Sequence, residues 1–194
     1  DYLQFNPKDP NWFNRDRFIL SAGHESALQY VLLNLIGWLG LDDLKQFRQL
    51  HSKTPGHPEV EISGVECTTG PLGQGFGMGT GMAFAETFLR HALEEKSKNA
   101  EGLVDHYTYV LASDGDMQEP ITLGASSLAG HLGLSHLIVF YDSNEIQISG
   151  GVSRCDSTNY ATVFEGFGWH VQEIDGHDHE AIRIEIEKAQ IMDK

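Results

Sequence analysis

Two short polar clusters hold the side chains best suited to chemistry. They are Ser113-Asp114-Gly115-Asp116 and Asp142-Ser143-Asn144, with Asp114 and Asn144 thirty positions apart. An Asp carboxylate and an Asn carbonyl are hard oxygen ligands. Mg²⁺ takes such groups and completes its shell with water and phosphate oxygens. Gly115, directly after the aspartate, lets a phosphate approach the backbone. Taken singly, Asp-Gly marks a turn and a lone Asn caps a helix. As a pair they point to one place. Thirty residues is about the length of one βαβ unit, which returns the chain to the same edge of a parallel sheet. Two histidines sit in short turn-like segments: His24 in Gly23-His24-Glu25-Ser26, and His57 in Thr54-Pro55-Gly56-His57-Pro58. The two prolines stiffen the second loop and hold His57 in one place. Helix start and plain exposure are the competing readings of these two residues.

The elements that must position these groups show in the hydrophobic periodicity. Residues 1–20 read as a loop leading inward, followed by a helical pattern from about Ser21 to Trp38 and a short helix over Asp42–Leu50. Seven glycines lie between 64 and 81, interleaved with Cys67, Leu72, Phe76 and Met78. This spacing predicts a loop through Gly70-Pro71-Leu72-Gly73, then a helix to about Leu93. Glycine costs a helix about 1 kcal/mol relative to Ala, so several in one helix imply close approach to another backbone or a ligand. Further on, His106–Ala112 reads as a strand, Ile121–Leu132 as a helix, Leu137–Tyr141 as a strand and Trp169–Ile174 as another. A helical pattern ends at Phe164–Phe167, and His179–Ala189 is a helix whose start carries a solvated His177–His179 pair. Strand–helix alternation predicts an α/β fold, a parallel sheet with helices on both faces. Ligands of such sheets sit beyond the carboxyl ends of the strands, where both polar clusters fall. The helix after Gly115 is expected to add amide donors and the positive end of its dipole.

Composition narrows the function classes. The 194 residues carry 28 Asp and Glu against 13 Lys and Arg, a net charge of −15. That size suits one domain. The charge argues against nucleic-acid and anionic-membrane partners. A phosphorylated ligand then needs a local remedy, which a metal ion, a helix N-terminus or a few placed basic groups can supply. The two cysteines, Cys67 and Cys155, form no CxxC and are too few for a disulfide framework, so a reducing, cytoplasmic setting and inert thiols are expected. No run approaches 18 apolar residues. The chain opens on Asp1-Tyr2-Leu3-Gln4 without Met or a signal-peptide pattern, and is expected to be part of a longer one.

The residues now carry a resemblance. Asp114-Gly115 with Asn144 resembles the thiamine-diphosphate motif, and the chain as a whole resembles the N-terminal, diphosphate-binding domain of the transketolase family. The matching stretches are Arg15 to His24, Lys53 to Glu59, Gly64 through Gly75, and Ser127-Leu128-Ala129-Gly130, in order from about residue 5 to the end. This resemblance implies a thiamine-diphosphate-binding fold, with residues 1–194 a partial domain and the pyrimidine and C-terminal domains outside it. It implies thiamine diphosphate and Mg²⁺, with Ca²⁺ or Mn²⁺ as substitutes. Asp114, Asn144 and the backbone carbonyl of Ile146 would bind the metal, and Gly115 would lie against the diphosphate. His24 would stand near the diphosphate, Gly70, Pro71 and Leu72 would meet the cofactor rings, and His57 would meet the substrate. Glu119 would sit at the interface of a homodimer. The implied reaction moves a two-carbon ketol unit between sugar phosphates in the pentose phosphate pathway. A related synthase such as deoxyxylulose-phosphate synthase, or a non-catalytic N-terminal subunit of a split enzyme, are the alternatives. Two positions depart from the family pattern. Ser113 replaces a usual glycine and adds a side chain near the cofactor, and Pro120 stands where glycine is common.

Overall fold

A computed structural model describes residues 2–192. Three parallel strands, β1 (Arg17–Leu20), β2 (Thr108–Ser113) and β3 (Leu137–Asp142), pair in the order β1-β2-β3. Arg17 faces Thr108, and Ser113 faces Asp142. The chain crosses from β1 to β2 through α1 (Ser26–Leu35), α2 (Leu41–Lys45) and α3 (Gln74–Lys96). It crosses from β2 to β3 through α4 (Asp114–Met117) and α5 (Pro120–Leu132). A small hairpin, β4 (Ile146–Gln147) with β5 (Gly150–Gly151), follows, then α6 (Tyr160–Gly166) and α7 (His179–Ile191).

Alternation along β2 divides the two faces of the sheet. Val110 and Ala112 join Ile19, Phe76, Ala83, Met117, Ala129, Tyr160 and Phe164 in the main core, on the side covered by α3, α5 and α6. On the opposite face the Tyr107 hydroxyl donates to the Gln190 carbonyl, and the Gln190 amide donates to the Tyr109 hydroxyl, which ties α7 to the sheet. Helices therefore cover both faces, as expected. A second cluster of Tyr30, Leu33, Leu39 and Val65 lies under α1 and α2.

Three expectations are corrected. The segment read as an inward loop contains β1. Its four residues are too few, and its Arg15-Asp16-Arg17 approach too polar, for periodicity to reveal it. Asp16 instead caps the sheet start: its buried carboxylate accepts from the Gln4 and Tyr107 amides at 2.7 and 2.8 Å. Trp169–Ile174 joins no strand ladder among the described residues. Its alternation comes from burying Trp169 and Val171 against the core, and packing alone satisfies that pattern. The helix after Gly115 is interrupted: α4 is a single turn, and α5 starts at Pro120, which stands at a first-turn position where its missing N–H costs nothing.

The glycines of α3 do what their cost implied. A Cβ on Gly75 would lie 2.5 Å from Ser21 Cα, and one on Gly79 would lie 2.5 Å from the Val110 side chain. The helix backbone thus lies directly on β1 and β2. Gly75→Ala gains about 1 kcal/mol of helix propensity but overpacks this contact at about 1–3 kcal/mol. A net loss of stability is expected in denaturant unfolding.

The amino edge of the sheet carries a buried ionic cluster. Glu86 is paired with Arg90 Nε at 2.9 Å and with His136 Nδ1 at 3.1 Å. Burial works to raise its pKa, and the His136 and Arg90 contacts overcome that and hold it below the ordinary value. His136 thus lies against the buried Glu86 carboxylate. Neighbouring His106 is buried, and desolvation, with Arg17 nearby, pushes its pKa down from 6.5 to about 4. Between those values the unfolded chain binds a proton that the folded one refuses, so stability falls as pH drops from 6.5 to 4. At pH 5 this one group is expected to cost on the order of 2 kcal/mol. His106→Gln should remove that part of the acid sensitivity when unfolding free energies at pH 7 and pH 5 are compared.

Candidate functional site

The carboxyl edge of the sheet is assembled around one loop, residues 69–73. At its start, a Cβ on Gly23 would meet the Gly70 amide nitrogen at 2.8 Å and Thr69 Oγ1 at 2.9 Å, so the His24 segment touches this loop. Gly70 in turn lies against His57, whose Cγ is 3.3 Å from the position of a Gly70 Cβ. Leu72 fills the space beside Gly115, where a Cβ would come within 2.6 Å of Leu72 Cδ1. Gly73, at φ +79°, has the left-handed conformation that starts α3, and a Cβ there would meet Glu119 Cβ at 2.7 Å. The structure thus gathers His24, His57, Gly70, Pro71, Leu72, Gly115 and Glu119 around one short loop. Both histidines are exposed, and His24 Nε2 lies 3.9 Å from Glu25 Oε1.

The His57 loop is held from behind. Ser26 Oγ donates to the Gly56 carbonyl at 2.8 Å, the Tyr30 hydroxyl to the His57 carbonyl at 3.2 Å, and buried Thr54 Oγ1 to the Asp43 carbonyl at 2.7 Å. With its backbone carbonyls fixed by α1, the loop leaves the imidazole free on the outside.

Asp114 follows directly on β2 and is 3% exposed. Its Oδ1 accepts from the Tyr141 hydroxyl at 2.5 Å, while its Oδ2 is buried without a hydrogen-bond partner among the described residues. An unpaired buried carboxylate oxygen is costly unless something positive meets it. Burial, followed by the Asp114 contact, raises the Tyr141 pKa well above its ordinary value, so the phenol stays a donor. Asn144 is exposed; its Oδ1 accepts from the Ile146 amide at 3.0 Å, and its Nδ2 donates to Asp142 at 2.9 Å. The α4 turn packs against β4, which brings the Asp114 and Ile146 segments together. Among the described residues no group of three or more His, Cys, Asp or Glu forms a metal cage. A cation at this edge would be held by one carboxylate and neutral oxygens, a donor set that suits Mg²⁺ and leaves places for ligand oxygens. The bare Asp114 oxygen fits that role.

Several residues of this edge were not legible as site residues. Asp116 is fully buried and accepts from Ser113 N, Ser113 Oγ, Ser21 Oγ and Gly73 N at 2.9, 3.0, 2.5 and 2.7 Å. Half-buried Glu25 has a raised pKa, first from desolvation and then from Asp142, with Asp116 adding to it and His24 opposing. Tyr141 reads in the sequence as an ordinary strand aromatic. Only Asp116 had a local signal, its place three residues after a Ser that can cap a helix. The side chain of Ser113 turns inward to Asp116. Cys67 is buried with its thiol pushed up to about 11 by burial, in keeping with an inert group, and Cys155 is exposed.

Comparison with known proteins decides the family. The whole of residues 1–194 matches the family described as transketolase, thiamine diphosphate binding domain. The chain belongs to the transketolase family. It is 53% identical over 190 residues to the transketolase of Staphylococcus aureus, covering 97% of this chain and 28% of that protein. Against the Bacillus subtilis transketolase it is 50% identical over 196 residues, covering 100% and 29%. The crystal structure of transketolase from Campylobacter jejuni superposes with a TM-score of 0.94 at 47% identity, over 100% of this chain and 30% of that one. Transketolase from Leishmania mexicana gives 0.94 at 44% identity, over 99% and 29%. The chain thus spans a little under a third of the length of these transketolases. The parallel sheet with helices on both faces is the thiamine-diphosphate-binding fold of this family.

One consequence concerns stability alone. Asp114→Asn keeps the acceptor for Tyr141 and removes a buried charge whose second oxygen has no partner. In chelator and without cofactor, the variant should unfold at higher denaturant than the parent, by about 1 kcal/mol. A less stable variant would show that the Asp114 oxygen is satisfied without a cation.

Proposed function

We propose that this chain serves a transketolase, binding thiamine diphosphate and a divalent metal and transferring a two-carbon ketol unit from a ketose phosphate to an aldose phosphate. The observation that carries the proposal is the buried, unpartnered Oδ2 of Asp114 at the carboxyl edge of a thiamine-diphosphate-binding domain. Asp114, Asn144 and the Ile146 carbonyl hold Mg²⁺, or Ca²⁺ or Mn²⁺ in its place. The metal offsets diphosphate charge on a chain that is itself at −15. Gly115 lies against the diphosphate, with His24 near it, and Gly70, Pro71 and Leu72 meet the cofactor rings. When bound, thiamine diphosphate supplies the carbon nucleophile and the electron sink for carbon–carbon cleavage. The protein's part is to orient and to move protons. His57 projects from a braced loop beside Gly70, and an imidazole there can hold or pass a proton at the hydroxyl and carbonyl oxygens of a sugar phosphate.

The assembly we propose is a homodimer with Glu119 at the interface. Its support is the apolar outer face of α3 and α5, where Phe84, Ile121 and Leu128 are exposed at 49%, 47% and 52% around a groove of about 570 Å³. The pentose phosphate pathway and the cytoplasm are the corresponding setting, which the two unpaired thiols suit.

Calorimetry on the full-length gene product tests the reading. Thiamine diphosphate with MgCl₂ should bind the parent, and Asp114→Ala should weaken binding at least about a hundredfold. Equal affinity in the two proteins would sink the assignment. Product analysis with xylulose 5-phosphate plus ribose 5-phosphate, against pyruvate plus an aldose phosphate, separates transketolase from a related synthase.

A further inference from the structure

We infer that Ser113 and Asp116 form a positioning latch that fixes the Asp114–Gly115 turn before any ligand arrives, and that Ser113 is a positioning residue for the cofactor site. The inference rests on the functional reading above. Its basis is the contrast between two aspartates two positions apart in the same helical turn. Both are buried, yet Asp116 has donors on both oxygens and Asp114 has one oxygen bare. A carboxylate offers about four acceptor sites. Asp116 fills them with four donors and has no cation among its hydrogen-bond partners. It therefore does not compete for a metal, and Asp114 is left to meet one.

The four donors come from three separate parts of the chain. Ser113 N and Oγ belong to the end of β2, Ser21 Oγ follows the end of β1, and Gly73 N opens α3. Ser21 Oγ also accepts from the Phe76 amide at 3.0 Å, so the first turn of α3 is tied in as well. Ser113 stands at the helix-cap position, with extended backbone at φ −114° and ψ 174°. From there its N–H and hydroxyl both reach Asp116 Oδ2, and the intervening Asp114 and Gly115 are clamped between cap and acid. A glycine at 113 would keep the N–H contact and lose the hydroxyl, and would widen the backbone freedom of the turn. The serine side chain is thus turned away from the ligand and into the protein, where it stiffens the turn rather than crowding the cofactor.

The experiment uses the full-length protein with Ser113→Ala, Ser113→Gly and Ser113→Thr, and Asp114→Ala as control. Binding of thiamine diphosphate with MgCl₂ is measured by calorimetry. Amide hydrogen exchange is measured over residues 113–118 and Gly73 without cofactor. Ser113→Ala and Ser113→Gly should weaken binding about tenfold and speed exchange, while Ser113→Thr, which keeps the hydroxyl, restores both. The kcat at saturating cofactor should stay unchanged, because the loaded turn is held by its ligand. Unchanged affinity in Ser113→Gly, a loss that Ser113→Thr does not restore, or a lower melting temperature without change in affinity would each overturn the inference. Absence of binding in the parent itself would instead bring down the transketolase reading. Exchange in the ligand-free protein would then still decide whether the latch exists.

Discussion

A single buried carboxylate holds the carboxyl edge of this domain together. Asp116 lies in the protein interior and accepts hydrogen bonds from the ends of two parallel strands and from the loop that opens the longest helix. Burying such a charge is costly unless it is well bonded. Four donors on two oxygens meet that cost, and any change that removes one of them leaves the remaining charge worse satisfied. The glycine contacts around the loop depend on the same constraint. Gly75 can touch Ser21, and Gly115 can touch Leu72, only while Ser21, Gly73 and Ser113 keep their places around Asp116.

This arrangement divides labour between neighbouring acids. Asp116 organises the backbone, Tyr141 donates to Asp114, and the other Asp114 oxygen has no hydrogen-bond partner among the described residues. Glu25 and Asp142 add negative charge to the same edge, and Asp142 adds to the burial that raises the pKa of Glu25. On a chain already strongly acidic, such an edge attracts a cation and repels a bare phosphate. On the function proposed above, a cation and a diphosphate arriving together would resolve both tendencies. At the opposite, amino edge of the sheet the buried acids have partners on hand, Glu86 in Arg90 and His136 and Asp16 in the Gln4 and Tyr107 amides.

The sequence made part of this legible. The pair Asp114 and Asn144 could be found because strand–helix–strand spacing is local and regular, and the α3 glycines because their helical cost demands a reason. Asp116 and Ser21 were not recognised, since the bond between them joins positions 95 residues apart and neither residue type is unusual alone. β1 escaped because four residues behind a polar approach carry no periodicity, and the sheet edge of β2 supplies what specifies it. Trp169–Ile174 shows the reverse error: its alternation reports one buried side, which an unpaired extended segment has as well as a strand does. Long, resembling motifs carried the family further than periodicity carried the fold.

The pairing of β1 with β2 also governs how the domain comes into being. Arg17 finds Thr108 only after about ninety intervening residues have been made. Closing so long a loop costs entropy before any contact repays it, which slows formation of parallel sheets. Ser21 and Asp116 follow the carboxyl ends of the two strands so joined, and the hydrogen bond between them spans 95 positions. A chain still lacking β2 and the turn after it therefore holds Ser21 and Gly73 without the carboxylate they share.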